Sequence, residues 1–313
     1  MLFEKGTGIG KNVMNNLLKL HFEKVGLQTS VQDFGRIGHQ ASGVPVGGAM
    51  DQKSMKRANL LVGNPLDTPV LEITLLGPRI RMEGRGSIAI CGADLSAQIN
   101  GDWLPINQLV KVKSGDILKF GRPKRGCRAY LAVGGEWLLP EWLGSTSAAF
   151  YLPDATPESI PTKGSTISIR TNETNQLSEI ILFDEEKVVT EYTIRVLPGP
   201  EFEAFSRTAI AQFFSQVYQV SNDSNRMGYR LVSDWKIEGK RKELISSPVV
   251  PGTIQITTAG NPIILMRDAQ TTGGYHRILN VIEEDLNKIA QMKAKEKLRF
   301  SICKSSNPFK LLT

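Results

Sequence analysis

The sequence has few of the residues on which metal sites and disulfide frameworks depend. Only three cysteines occur in 313 residues, and Cys91, Cys127 and Cys303 are far apart with no C-x-x-C spacing. An odd number of widely spaced cysteines supports neither a disulfide framework nor a zinc site. We therefore expect reduced thiols, no metal or covalent cofactor, and a cytoplasmic protein.

Long apolar runs are also missing. No stretch approaches the roughly 18 apolar residues of a membrane helix, and glycines occupy the N-terminus where a signal peptide would be apolar. The basic stretches 119–128 and 236–242 lack the interleaved aromatic residues that stack on single-stranded nucleic acid. The formal net charge of +7 is spread along the chain. We expect binding to neither membranes nor nucleic acid.

The usual catalytic and nucleotide motifs are absent as well. The chain has no G-x-S-x-G elbow, no H-E-x-x-H and no cysteine beside a histidine. The glycines at the N-terminus do not make a phosphate loop, because Lys5 stands at the first glycine position and Asn12 replaces the Ser or Thr. A covalent mechanism therefore has no support in the sequence.

What the sequence does contain is a series of short segments in which apolar and polar residues alternate. Between residues 69 and 133 this pattern recurs, for example at Leu71, Ile73 and Leu75. Such spacing indicates an antiparallel β-barrel or sandwich. Asp51 is expected to cap a helix over residues 53–61, and this helix is expected to plug one end of the first barrel.

The chain divides into two lobes. Residues 151–179 are rich in Pro, Thr and Ser, which predicts a linker. We expect a tail at 1–13, a first lobe with the linker at 14–187, and a second lobe at 188–313. Further elements are predicted in the second lobe: a strand at 192–197, a helix carrying Phe202, Phe205 and Phe213, a hairpin of 253–256 with 263–266, and an amphipathic helix over 283–292.

Three polar segments combine glycines with charged or amide side chains. Residues 31–51 hold five glycines, which allow backbone N–H groups to approach a ligand closely. Residues 221–231 surround Arg226, and residues 266–278 follow an apolar strand. Structural alternatives remain for each segment: a turn-rich loop with Asp33 as a cap and Arg36 paired on the surface, a hairpin with Arg226 paired to an acid, and a hydrogen-bonded β-bulge loop.

At these segments the sequence resembles the allophanate hydrolase subunit 2 family, also called the biotin-dependent carboxyltransferase-like family. The matching stretches are VQDFGR at 31–36, GGAMD at 47–51, SNRMGYRL at 224–231 and DAQTTGGY at 268–275. Agreement extends from about residue 26 to residue 300. The resemblance implies a mainly β fold with two cyclophilin-like β-barrel lobes and short helices.

The resemblance implies three functional alternatives. In the first, the chain is one subunit of an ATP-dependent 5-oxoprolinase that opens the lactam 5-oxo-L-proline to L-glutamate. It would be inactive without A-type and B-type partner proteins of the 5-oxoprolinase, the latter Kip-inhibitor-like, and ATP could bind on a partner. In the second, it is a non-catalytic antagonist of a Kip-type histidine-kinase inhibitor. In the third, it is a carboxyltransferase-like component of a biotin-dependent urea amidolyase or allophanate hydrolase system.

For the first alternative we assign roles to residues of the three segments. Arg226 is predicted to hold the substrate carboxylate, because Arg suits bidentate capture. Asp268 or Asp33 is predicted to orient water or accept a proton. The predicted hydrogen-bond donors to the oxyanion that develops on the lactam carbonyl are Gln32, Gln270 and Thr271. Further substrate contacts are predicted for Arg36, Ser42, Asn225, Thr272 and Tyr275.

Overall fold

The computed structural model describes residues 16–171, 191–237 and 244–303. The first lobe has twelve strands among these residues and one α-helix, α1 (Gln52–Leu61). Its strands are β1 (Leu17–Lys24), β2 (Gln28–Gln32), β3 (Val70–Thr74), β4 (Arg79–Glu83), β5 (Gly86–Asp94), β6 (Gln98–Ile99), β7 (Asp102–Trp103), β8 (Leu109–Val112), β9 (Ile117–Lys119), β10 (Arg125–Val133), β11 (Glu136–Trp137) and β12 (Thr166–Arg170).

Two sheets of the first lobe enclose one core. The seven-stranded sheet has the order β11-β12-β1-β4-β9-β6-β7, and the five-stranded sheet has the order β2-β3-β10-β5-β8. Strand β1 shows why the sequence alternates: Leu18, Leu20 and Phe22 are buried, while Lys19 and His21 face outward beside Glu83. The inward residues of both sheets form a single apolar cluster, as period-two alternation requires.

Helix α1 lies on the outer face of the five-stranded sheet. Asp51 caps it as predicted, because its Oδ1 accepts the Ser54 N–H at 2.9 Å. The buried side chains Met55 and Ala58 pack against β5 and β10, including Tyr130. The prediction that this helix plugs a barrel end was wrong, because β5 and β10 are apolar on both faces and the outer face needs a cover.

The described strands and α-helices of the second lobe are β13 (Glu191–Pro198), α2 (Arg207–Ser215), β14 (Tyr218–Val220), β15 (Gly228–Val232), β16 (Ser247–Pro248), β17 (Thr253–Ile256), β18 (Pro262–Leu265), β19 (Thr272–Gly273), β20 (His276–Val281), α3 (Glu283–Ala290) and β21 (Lys297–Ile302). Seven of these strands form a closed barrel in the order β13-β20-β17-β18-β15-β14-β21. The mainly β class and a barrel lobe are thus confirmed.

The local predictions for the second lobe hold with small shifts. The hairpin pairs β17 with β18, and α3 forms as the amphipathic segment predicted. The helix after β13 begins later than predicted, because the Ser206 hydroxyl caps it by accepting the Ala209 N–H; Phe202 lies in a preceding 3-10 turn. The predicted tail at 1–13 and the boundary at 188 lie outside the described residues. None of the helices described is long and apolar enough to span a bilayer.

Candidate functional site

A buried ion-pair network joins the two lobes. Arg226, in the turn before β15, donates from Nε and Nη2 to the Asp268 carboxylate at 2.7 and 2.8 Å. Its Nη1 donates to Glu72 of β3 at 2.5 Å, and its Nη2 also reaches the Gly48 carbonyl at 2.7 Å. Burial alone would lower the pKa of Arg226, but the charges of Asp268 and Glu72 raise it above the ordinary value.

From Glu72 the network continues through the first lobe. Glu72 Oε2 accepts the Tyr130 hydroxyl and the Met50 N–H, each at 2.8 Å. The same hydroxyl accepts the Asp51 N–H at 2.8 Å, and Gln291 Nε2 donates to Asp51 Oδ2 at 2.8 Å. Burial, with the nearby Glu72 charge, raises the pKa of Tyr130 well above its ordinary value. The phenol therefore stays neutral and can donate.

A second arginine, Arg128 of β10, contacts residues of the second lobe beside this network. Arg128 Nη1 donates to the Tyr229 hydroxyl and to the Ala290 carbonyl, each at 2.6 Å. Gln291 Oε1 accepts the N–H groups of Cys127 and Arg128 at 3.1 Å. Burial raises the pKa of Tyr229 to about 12. Both lobes are therefore fixed relative to each other by fully buried polar contacts.

Asp33 organises a loop of the first lobe. Its carboxylate accepts hydrogen bonds at 2.5–3.1 Å from five donors: Gly35 N–H, Ser145 Oγ, Ser147 Oγ, Thr146 N–H and Thr146 Oγ1. Two carboxylate oxygens offer about four lone-pair sites. These donors therefore use the accepting capacity of Asp33, which holds the 145–147 loop in place.

Arg36 is buried next to this loop, with 1% of its surface exposed. Its Nε donates to the Trp142 carbonyl at 3.1 Å, its Nη2 donates to the Ser147 carbonyl, and its guanidinium lies 4.7 Å from the Trp142 ring centroid. Its Nη1 is buried and has no hydrogen-bond partner among the described residues. Burial lowers the pKa of Arg36, and the charges of Tyr151, Asp33 and Asp268 oppose that shift.

Gly47 lies between Arg36 and Asp268, and its missing side chain leaves a space of about one methyl group between them, here called the recess. A Cβ at this glycine would lie 3.7 Å from Arg36 Nη1 and 3.8 Å from Asp268 Oδ1. The backbone has φ +68°, and the Gly47 N–H donates to the Arg267 carbonyl at 2.9 Å. The recess therefore presents a buried cationic donor and a carboxylate acceptor to the same small volume.

The three predicted segments thus meet in space, although their residues divide into two groups. A buried group consists of Gln32, Arg36, Arg226 and Asp268, in which Gln32 directs Oε1 toward Arg226 at 3.5 Å. Asp33 is partly buried beside this group. An exposed or partly exposed group lies on the loops: Ser42, Asn225, Gln270, Thr271, Thr272 and Tyr275. Asn225 caps its own turn by accepting the Met227 N–H, and the Thr271 carbonyl accepts the Val249 N–H.

The contacts decide between the structural alternatives for Arg36 and Arg226. Surface pairing of Arg36 is wrong, since the residue is buried. Pairing of Arg226 with an acid is observed, with Asp268 and Glu72. The role of Arg226 as a substrate ligand stays a prediction, but a substrate carboxylate would have to displace one of these protein carboxylates.

Sequence reasoning missed Glu72, Arg128 and Tyr130. Each belongs to a strand that is otherwise apolar, and all five residues of β3 are buried. An acidic residue within such a strand indicates a buried ion pair or hydrogen-bond network, because a buried charge requires a partner. Among the described residues, no group of three or more His, Cys, Asp or Glu side chains is arranged to hold a metal ion.

Fold and site together define a two-lobed β protein whose polar loops meet over a buried interlobe ion-pair network. The family described as the carboxyltransferase domain, subdomain A and B, matches residues 42–302. The chain belongs to this family, which confirms the resemblance found in its motifs.

Relatives in this family have several names. The chain is 36% identical over 281 residues to the C-type subunit of the 5-oxoprolinase of Escherichia coli (strain K12), covering 90% of each chain. It is 32% identical over 295 residues to urea amidolyase of Saccharomyces cerevisiae, covering 88% of this chain and 16% of that protein. The crystal structure of the K. lactis urea amidolyase aligns with TM-score 0.82 and 30% identity, over 90% of this chain and 18% of that one.

Proposed function

We propose that the chain is one subunit of a 5-oxoprolinase that opens 5-oxo-L-proline to L-glutamate with ATP and with partner proteins of the A and B types. The main support is the 36% identity to a C-type 5-oxoprolinase subunit over 90% of both chains. This alignment covers both lobes rather than a single motif. The relative's designation as a subunit makes a shared, multi-chain activity the natural expectation.

The recess offers the chemistry that a lactam with a carboxylate requires. Arg36 Nη1 is a buried donor without a partner among the described residues, so a substrate carboxylate or a developing oxyanion would satisfy it once the surrounding loops open to admit the ligand. Asp268 is held by two hydrogen bonds from Arg226, and it can accept a further one from a ring N–H. We therefore transfer the carboxylate-binding role from Arg226 to Arg36.

A nucleotide triphosphate does not fit the recess. The described recess presents one cationic group, Arg36, whereas a triphosphate carries several negative charges and is far larger than the space at Gly47. ATP would therefore bind outside the recess. The residues of the recess would bind and orient the lactam, and the Asp33-held loop would keep Arg36 in position.

Carboxyl transfer is the second candidate function. It is favoured by the 32% identity to a urea amidolyase and by the TM-score of 0.82 to another. A donor opposite an acceptor would also orient an amide such as urea beside a carboxyl group. The biotin carrier would have to come from another chain, since this sequence has no Met-Lys-Met acceptor motif. None of these relatives bears on the kinase-inhibitor antagonist, which stays a prediction.

The proposed function is tested by reconstitution. The purified chain, the A- and B-type partners from the same organism, and all mixtures of the three are assayed for ATP-dependent release of glutamate from 5-oxoproline. We expect turnover only when all three are present. Equal turnover without this chain would contradict the proposal, whereas a stable complex without turnover would favour the antagonist.

A further inference from the structure

A cleft with a volume of about 540 Å³ opens between the two lobes, separate from the recess. It is bounded by the start of α1, by β5 and the start of β10 on the first lobe, and by the start of β13 with α3 on the second. Arg36, Gly47 and Asp268 are not among its lining residues. Its volume falls within the roughly 300–1,000 Å³ of small-molecule sites.

The acidic residues that line the cleft are already bonded to protein donors. Asp51 accepts hydrogen bonds from Ser54 and Gln291. Glu191 is paired with Arg299, and Glu296 accepts the Lys293 N–H at 2.9 Å. Their negative charge is therefore largely compensated within the fold.

Two of the lining lysines are not compensated in this way. Lys53 is exposed, and its ammonium group has no ion-pair or hydrogen-bond partner in the described part of the chain. The Lys124 ammonium lies 3.7 Å from the centroid of the Trp103 ring, with no carboxylate partner among the residues described. The lining lysines Lys288 and Lys293 differ from these two, because they pair with Asp285 and Glu296. The rim of the cleft therefore carries two lysines, Lys53 and Lys124, that no carboxylate of the described residues neutralises.

Glycines keep the floor of the cleft open and tie it to the interlobe network. A Cβ at Gly126 would lie 2.8 Å from Gln291 Oε1, and one at Gly92 would lie 2.6 Å from the Arg128 carbonyl. Because both positions lack a side chain, Gln291 can reach across to Asp51. A ligand in the cleft would therefore contact both lobes at once.

We propose that this cleft binds a small organic phosphate of nucleotide size. Lysines bind phosphate as point charges, whereas planar carboxylates are more often held by the forked guanidinium of arginine. The volume of the cleft exceeds what inorganic phosphate alone would fill, so the ligand carries an organic part. The proposed reaction uses ATP, so this inference deepens the proposed function at a site distinct from the recess; binding to the chain alone tests it separately from turnover.

The test is calorimetric titration of the full chain with ATP, ADP, pyrophosphate and inorganic phosphate as separate probes. The test variant carries Lys53→Gln and Lys124→Gln together. The matched control carries Lys111→Gln and Lys163→Gln, two exposed lysines that do not line the cleft. Melting temperatures of all three proteins, measured without ligand, show whether each variant is folded.

We expect the wild type and the control to bind ATP or ADP more tightly than inorganic phosphate. The test variant should lose about tenfold in affinity for each lysine removed, as the loss of one charge-assisted contact predicts. The proposal is overturned if neither nucleotide binds with a dissociation constant below about 1 mM. It is equally overturned if inorganic phosphate binds as well as ATP, or if the control loses as much affinity as the test variant.

Discussion

Arg226 of the second lobe and Glu72 of the first form an ion pair in which both side chains are at most 3% exposed. The same guanidinium binds Asp268 with two further hydrogen bonds. Arg226 is therefore the ion-pair partner of two buried carboxylates, one on each lobe. This arrangement couples the relative position of the lobes to the shape of the recess.

Replacing Arg226 by Met should strongly destabilise the protein. The change leaves Asp268 and Glu72 buried without their cation, which typically costs about 3–5 kcal/mol. Urea denaturation measures the loss in the free energy of unfolding. The control is Arg79→Met, which removes the exposed pair with Glu23 and should cost less than about 1 kcal/mol. Similar losses in both variants would contradict the structural role of Arg226.

Replacing Asp33 by Asn should loosen the loop that holds Arg36. An amide offers one accepting oxygen in place of two, so hydrogen bonds from the 145–147 loop are lost. We expect the free energy of unfolding to fall by about 2 kcal/mol, as for hydrogen bonds to a charged group. The exposed Asp102 provides the control as Asp102→Asn. An unchanged unfolding midpoint for Asp33→Asn would contradict this account.

Replacing Gly47 by Ala should fill the recess. Gly43 offers a matched control, because it also has positive φ but would place its Cβ in open space. Both substitutions should lower the free energy of unfolding by about 1–2 kcal/mol, because a residue with a Cβ is strained in the left-handed region. Only Gly47→Ala should also weaken 5-oxoproline binding in the assembled enzyme, read as a raised KM. Equal KM values for the two variants would argue against the recess as the substrate site.

The contribution of Asp285 should depend on pH. Burial alone would raise its pKa, but hydrogen bonds from Arg195 and Lys288 lower it below the ordinary value of 3.8. A carboxyl with a lowered folded-state pKa contributes stability that is present above its unfolded-state pKa and is lost as pH falls through the folded one. Asp285→Asn should therefore be destabilised by about 2 kcal/mol near neutral pH.

The difference between the wild type and Asp285→Asn should shrink as the pH falls below 3.8. Urea unfolding at a series of pH values measures this difference. The control Glu284→Gln removes an exposed carboxylate that pairs with the same Arg195, so it should have little effect at any pH. A constant difference over the acidic range would contradict the assigned pKa direction.

Local signals in the sequence were sufficient for much of the fold. The Asp51 cap and the β17–β18 hairpin depend on neighbouring residues, and both appear as predicted. The three polar segments were also recognised, because glycines beside charged residues are visible in the sequence. These features could be predicted because they depend on short stretches of chain.

The partners of the charged residues could not be predicted in the same way. Arg226 and Glu72 are separated by 154 positions, and nothing local indicates that they meet. The position of α1 was predicted wrongly for a similar reason. Its sequence shows that one face is apolar but not which surface of the sheet that face contacts. Such pairings depend on how the lobes dock, and period-two alternation carries no information about docking.

Binding of the substrate carboxylate by Arg36 can be tested with two ligands that differ only in that group. Inhibition or KM is measured for 5-oxoproline and for 2-pyrrolidinone, which lacks the carboxylate, in the assembled enzyme with wild type and with Arg36→Gln. We predict that the wild type favours 5-oxoproline by about tenfold or more, and that Arg36→Gln removes this preference. A folded Arg36→Gln variant that kept the full preference would contradict the claim.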